Sequence, residues 1–272
     1  MLLQRVLTAL LLAPLAIVVI LLPPTPWFAL ICAAVFVGAL AEWLQLLGIR
    51  QGAARLALLA LATGLFALLW FAPASSLTLA LLVLGVAWWL VAGLWLRHFA
   101  FAAAPTRESR LLKLGVGALV TFPAWIALID LHGREPHGHV WTLLALMIVW
   151  AADIGAFFAG RTFGKRKLAP NISPGKTRAG AYGALAAGTA ICLAGGWWLG
   201  VHGTELIGLG VLALATVAAS IEGDLLESLM KRHAGAKDSG HLFPGHGGLL
   251  DRLDSVFAAL PVFALGLRLL GL

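Results

Sequence analysis

Ionisable residues that could do chemistry gather in three short stretches of this chain. The last, KDSGHLFPGHGGLLDRLDS, runs from Lys237 to Ser255. At helical spacing Asp251, Asp254 and Ser255 fall at i, i+3 and i+4 on one face, with Arg252 on another. Pro244, Gly245, Gly247 and Gly248 allow sharp turns and a close backbone approach to a ligand. An acid in a first helical turn is also ordinary capping, which accounts for Asp251 alone. Capping does not account for two acids on one face beside Arg252 and a glycine-rich approach, so a functional role is favoured.

The second stretch is SIEGDLLESLMKR, Ser220 to Arg232, where Asp224, Glu227 and Ser228 share a face and Lys231 lies four beyond Glu227. Glu222, Asp224 and Glu227 at the end of an apolar run need a cation or a basic partner. A divalent metal serves, since carboxylates are hard ligands; an ion-pair network between helices serves equally. The third stretch, Trp150 to Gly180, sets Asp153 inside an apolar run and follows it with Arg161, Lys165, Arg166, Lys167, Lys176 and Arg178. Its SPGKT is no Walker A loop, because Pro170 stands where that motif needs glycine. A Pro-Gly turn presenting Ser173, Lys176 and Thr177 to an anion is weighed against a solvated basic loop, and for this segment alone the loop is preferred. Together the stretches hold carboxylates for metals, cations for phosphates and glycines for close contact, which is what a nucleotide site needs. Asp224 and Asp251, on two helices, could flank a two-metal centre about 4 Å across. The histidines (His132, His137 and His139 in one loop; His233, His241 and His246 among the other polar residues) give no convincing general base.

The elements that must position these groups are apolar. Of 272 residues, 61% are hydrophobic and 11% charged, where a soluble domain has about 25% charged. Runs of about 20 apolar residues recur, each able to cross about 30 Å of hydrocarbon. They do not alternate as barrel strands would. The expected fold is therefore all-α: a polytopic integral membrane protein of about nine transmembrane helices, near 6–22, 27–47, 55–72, 77–96, 111–131, 140–160, 180–200, 205–230 and 254–271. The first run has no small-residue cleavage site before Pro23 and reads as an uncleaved helix. With the N-terminus cytoplasmic and the C-terminus outside, every Lys and Arg except Arg134 and Arg268 falls on the inner side. That pattern explains the net charge of +7 without nucleic acid. Cys32 and Cys192 read as buried thiols. Residues 1–110 form an expected scaffold of about four helices, whose lone acid, Glu42, reaches the interface cheaply. Residues 111–272 form an expected catalytic membrane domain of about five helices, holding Asp130 besides the acids above.

At Ser228, Lys231–Arg232, Lys237–Asp238, Pro244, His246–Gly247–Gly248 and Asp251–Arg252–Leu253–Asp254 the chain resembles the signature of the phosphatidate cytidylyltransferase (CDP-diacylglycerol synthase) family. Gly160–Arg161, Gly164–Lys165 and Ser173–Thr177 are similar to the family as well, so the likeness is strong over the second half and architectural over the rest. Family members often carry an acid or amide where Ala179 stands, and no role is carried over there. The resemblance implies a transferase of phospholipid biosynthesis that joins CTP to phosphatidate with Mg²⁺, giving CDP-diacylglycerol and pyrophosphate. It leaves room for a second, monovalent or divalent, cation and for a homodimer. It places the enzyme in the cell's inner (plasma) membrane with its site facing the cytoplasm. The metal ligands would be Asp224 and Asp251, with Asp254 auxiliary; Lys237, Arg232 and Arg252 would hold the triphosphate or departing pyrophosphate. Lys176 and Ser173 would meet the lipid phosphate or CTP, with Asp153, Arg161, Ser228, Lys231, His246, Gly247 and Gly248 also lining the substrates. The rival readings are a CTP-dependent transferase for another lipid phosphate or a polyprenol, a cation-coupled transporter, and acids that merely glue helices together.

Overall fold

The computed structural model describes residues 2–72, 75–240, 242 and 247–272, with side chains from residue 12 onward; Pro244 and His246 of the signature lie outside the described residues. Along the chain run α1 (Leu2–Leu21), α2 (Thr25–Leu46), α3 (Ala53–Phe71), α4 (Ser75–Trp95), α5 (Arg107–His132) and α6 (Gly138–Phe163). A hairpin follows, β1 (Lys167–Ala169) and β2 (Ser173–Thr177), then α7 (Arg178–Trp198), α8 (Gly203–His233) and α9 (Leu250–Leu270). Among the described residues, eight helices, α2 to α9, are long and apolar enough to cross a membrane. Large apolar side chains such as Trp27, Leu30, Phe71, Leu90, Trp198 and Leu269 stand exposed around the bundle. In water so much exposed oil would be untenable; in a bilayer these are the lipid-facing surfaces. The chain is thus a multi-span helical membrane protein.

Helix ends follow local chemistry rather than the limits of apolarity. Pro24 precedes α2, with proline in its first turn, where a missing N–H costs nothing. Thr106 and Thr177 cap α5 and α7, their hydroxyls accepting from the Ser109 and Gly180 amides at 3.2 and 3.1 Å. The segment SPGKT is a strand, with Lys167 opposite Thr177 and Ala169 opposite Ser173, and the turn falls at residues 170–172. The expected Pro-Gly turn is therefore corrected: Pro170 ends β1, and SPGKT runs extended straight into the cap of α7.

Helices α5 and α9 are the most enclosed. Buried indoles tie α5 to α2: Trp125 donates to the Ala29 carbonyl at 3.1 Å and Trp43 to that of Lys113 at 3.0 Å. Phe36 of α2 meets Phe257 of α9 edge-on, 4.9 Å between ring centroids. Helices α6 and α7 close on small residues, since a Cβ on Gly155 would strike the Gly183 carbonyl and one on Gly183 the Ala159 side chain. Helix α8, at 31 residues, is about 46 Å long. That exceeds the roughly 30 Å of a hydrocarbon core, and Glu222, Asp224 and Glu227 all fall towards its C-terminal end.

Candidate active site

One end of the bundle gathers the C-terminal ends of α6 and α8, the N-terminal ends of α7 and α9, and the hairpin. There a cavity of about 370 Å³ is lined by Asp153, Arg161, Lys176, Asp224 and the hydroxyl residues Thr177, Ser220 and Ser255. Asp224 is ion-paired with Lys176 and accepts from the Ser228 hydroxyl at 3.3 Å. Helices α8 and α9 touch at Gly223, where a Cβ would strike the Asp254 carbonyl. This crossing sets Asp254 within electrostatic reach of Asp224. Asp153 feels both carboxylates, with Lys176 and Arg252 opposing them. Three acids thus act on one another around a single cavity-lining lysine.

A second group adjoins the first. Lys231 bridges Glu227 at 3.3 Å and Asp251 at 2.6 Å, and Glu227 in turn interacts with Asp254. The other oxygen of Asp251, Oδ2, receives the Gly248 and Ser239 amides at 2.8 and 2.9 Å and the Ser239 hydroxyl at 2.9 Å. Reaching back three residues to an amide is how an acid in a first turn caps its helix. Gly247 takes a positive φ of 82°. A Cβ there would strike Asp251, and one on Gly248 would strike Glu42 and Ser239. These two glycines make room for the protein's own carboxylates.

Glu42 has partners that the sequence did not suggest: its carboxylate receives the Leu249 and Leu250 amides at 2.9 and 2.8 Å and the Ser239 hydroxyl at 2.7 Å. Asp130 sits at the opposite end of the bundle, paired with Arg134 at 3.1 Å and with the Arg268 Nε at 3.0 Å. It joins the two basic residues that the sequence set apart from the rest. Glu222 turns away from the cavity towards Gly93 of α4.

Of the sequence-predicted residues, the fold brings together Asp153, Arg161, Lys176, Asp224 and Asp254 in one place and Lys231, Asp251, Gly247 and Gly248 in the adjoining one. Ser173 is half-buried in β2, while Arg161, Lys237 and Arg252 are exposed. The Arg161 guanidinium lies 6.0 Å from the Phe157 ring centroid. Exposed Arg232 donates to the Ile172 carbonyl at 3.2 Å, holding the hairpin turn to α8. His246 lies outside the described residues. Among the described residues, no three His, Cys, Asp or Glu side chains stand close enough to hold a metal unaided. The sequence reading missed Ser220, although Ser220, Asp224 and Ser228 recur every four residues; for Glu42 no local pattern gave a signal.

Comparison with known proteins bears on what such a cavity serves. Residues 3–270 match the family model described as the cytidylyltransferase family. The chain is 42% identical over 265 residues to a phosphatidate cytidylyltransferase of Pseudomonas aeruginosa, covering 97% of this chain and 96% of that protein. It is 37% identical over 287 residues to that of Haemophilus influenzae, covering 97% and 98%. A Brucella suis phosphatidate cytidylyltransferase is 44% identical over 142 residues, about half of each chain. With the match running through every helix that builds the cavity, the chain belongs to the cytidylyltransferase family.

Proposed function

We propose that this protein is a phosphatidate cytidylyltransferase: the phosphate of phosphatidate attacks the α-phosphorus of CTP, and pyrophosphate leaves. The observation that carries the reading is the near-full-length likeness to two proteins of that name. The cavity suits the chemistry. A phosphate monoester has its second pKa near 6 and is already a dianion at neutral pH, so it needs no strong base, and none is needed from the histidines. What the reaction requires is control of repulsion between two anions. Lys176, held by Asp224 at the cavity wall, is placed to exchange that carboxylate for a phosphate oxygen. Arg161, on the same wall, and exposed Arg252 and Lys237 are the further cations for the triphosphate. Ile154, Phe157 and Phe158 of α6 and Tyr182 of α7 stand exposed beside the cavity, so a lipid could present its phosphate while its acyl chains stay in the bilayer.

Mg²⁺ uses one or two carboxylates and fills its octahedron with phosphate oxygens and water. Asp224, with Asp254 beside it, is an oxygen donor set of that size and hardness. These residues would hold the ion; Asp251 could add only Oδ1, and only with Lys231 displaced, because its Oδ2 is committed. When bound, the metal would neutralise phosphate charge and polarise the α-phosphorus. The cavity end also carries most of the basic residues, which supports a cytoplasm-facing site in the inner membrane. Purified protein given labelled CTP and phosphatidate should form labelled lipid and equimolar pyrophosphate with Mg²⁺, and none with a chelator. CTP breakdown that does not depend on a lipid acceptor would overturn the proposal.

A further inference from the structure

The first turn of a helix leaves amides with no partner inside the helix. At α9 the N-cap residue, Leu249, supplies no side-chain cap. The Leu249 and Leu250 amides are instead received by Glu42, a carboxylate from α2 more than 200 residues earlier in the chain. A negative charge there also matches the positive end of the α9 dipole. The same carboxylate takes the Ser239 hydroxyl, which lies 2.9 Å from Asp251 as well. The hydroxyl has a single proton and serves one carboxylate at a time, but the Ser239 amide stays on Asp251 and the α9 amides stay on Glu42, so α2, Ser239 and the start of α9 remain tied in either case. Gly240 and Gly248 keep the space open, since a Cβ on either would strike Glu42.

We infer that Glu42 is a positioning residue for cytidylyl transfer, fixing Ser239 and the first turn of α9 so that Lys237, Arg252 and Asp254 face the triphosphate in one geometry. Glu42 itself lines no wall of the cavity and touches no reacting atom; it acts through Ser239 and the α9 amides. The residues it places lie two positions before Ser239 and within two turns after Leu249, close enough for their positions to follow the tie. Misplacement of reacting groups by about 1 Å costs about 100-fold in rate. The inference rests on the cytidylyltransferase reading above.

The test compares Glu42→Gln, Glu42→Ala, Ser239→Ala and the double variant Glu42→Gln/Ser239→Ala, each normalised to folded, monodisperse enzyme. Glu42→Ala should lose about 100-fold in kcat/KM for CTP. Glu42→Gln keeps one acceptor oxygen and should fall between it and wild type, with KM for phosphatidate moved far less. The double variant should be no worse than the worse single one, because both break the same tie. Should Glu42→Ala fail to fold, Glu42→Gln and Ser239→Ala carry the comparison. A Glu42→Gln enzyme within twofold of wild type overturns the inference, as do strictly additive losses or a loss that only follows thermal stability. If wild type itself makes no CDP-lipid, the functional reading fails separately. The tie is then read from tryptic cleavage after Lys237, faster in Glu42→Gln if it holds and unchanged if it does not.

Discussion

Replacing Asp224 by Asn separates a role in chemistry from a role in holding the bundle together. The side chains of Asp224 and Lys176 keep 31% and 24% of their surface exposed. An ion pair that open contributes about 0–1 kcal/mol to stability. Asn preserves the size of the side chain and an oxygen to accept from Ser228, so unfolding should move by no more than about 1 kcal/mol. Turnover answers to a different quantity. Removing one group that faces charge developing in the transition state costs about 100- to 1,000-fold, or about 2.7–4 kcal/mol. The assay is transfer of label from CTP to lipid across a Mg²⁺ titration, alongside thermal unfolding in detergent. Asp224→Asn should lose at least 100-fold and need more Mg²⁺, with its melting transition nearly unchanged. Asp224→Asn within fivefold of wild type at the same Mg²⁺ midpoint would refute the placement of the metal.

Two further substitutions test the packing that assembles the site. Gly223→Ala should improve α8 by about 1 kcal/mol on helix propensity alone, yet its Cβ meets the Asp254 carbonyl; lower melting temperature and lower turnover are expected, and a more stable, fully active variant would disprove the close crossing. Lys231→Met leaves Glu227 and Asp251, 3% and 7% exposed at their side chains, without their shared cation; a loss of about 3–5 kcal/mol in stability is expected from denaturant unfolding, and an unchanged midpoint would show that this pair is not buried in the folded protein.

Much of the architecture was legible because hydrocarbon imposes a length on every span and a place on every charge. The apolar runs gave the helices to within a few residues, and the largest disagreements occur where charge begins. Helices α1, α5 and α9 start at Leu2, Arg107 and Leu250, and α6 and α8 continue to Phe163 and His233, because a helix ends at its cap and not at the edge of its apolar stretch. Strand β2 was read as a turn because Pro and Gly in SPGKT carry turn signals locally, while pairing with Lys167–Ala169 is a partnership outside that window. At the site, Asp224 with Ser228 and Glu227 with Lys231 were legible as neighbours one helical turn apart. Asp224 with Lys176, and Lys231 with Asp251, join separate elements and leave no trace in spacing.

The sequence by itself determined that this chain is a multi-span helical membrane protein and where its costly polar residues lie, since both follow from composition and from periodicity along one element. It also carried the signature that marks the family. Only the tertiary structure decided which carboxylates face one another. The crossing of α8 and α9 at Gly223 brings Asp254 into reach of Asp224, and Glu42 is drawn from a scaffold helix to the start of α9. The physical reason is that a carboxylate in a dry place goes to whichever donors the packing leaves unpaired. Which amides and ammonium groups those are is settled by how whole helices cross, not by the residues on either side of the acid.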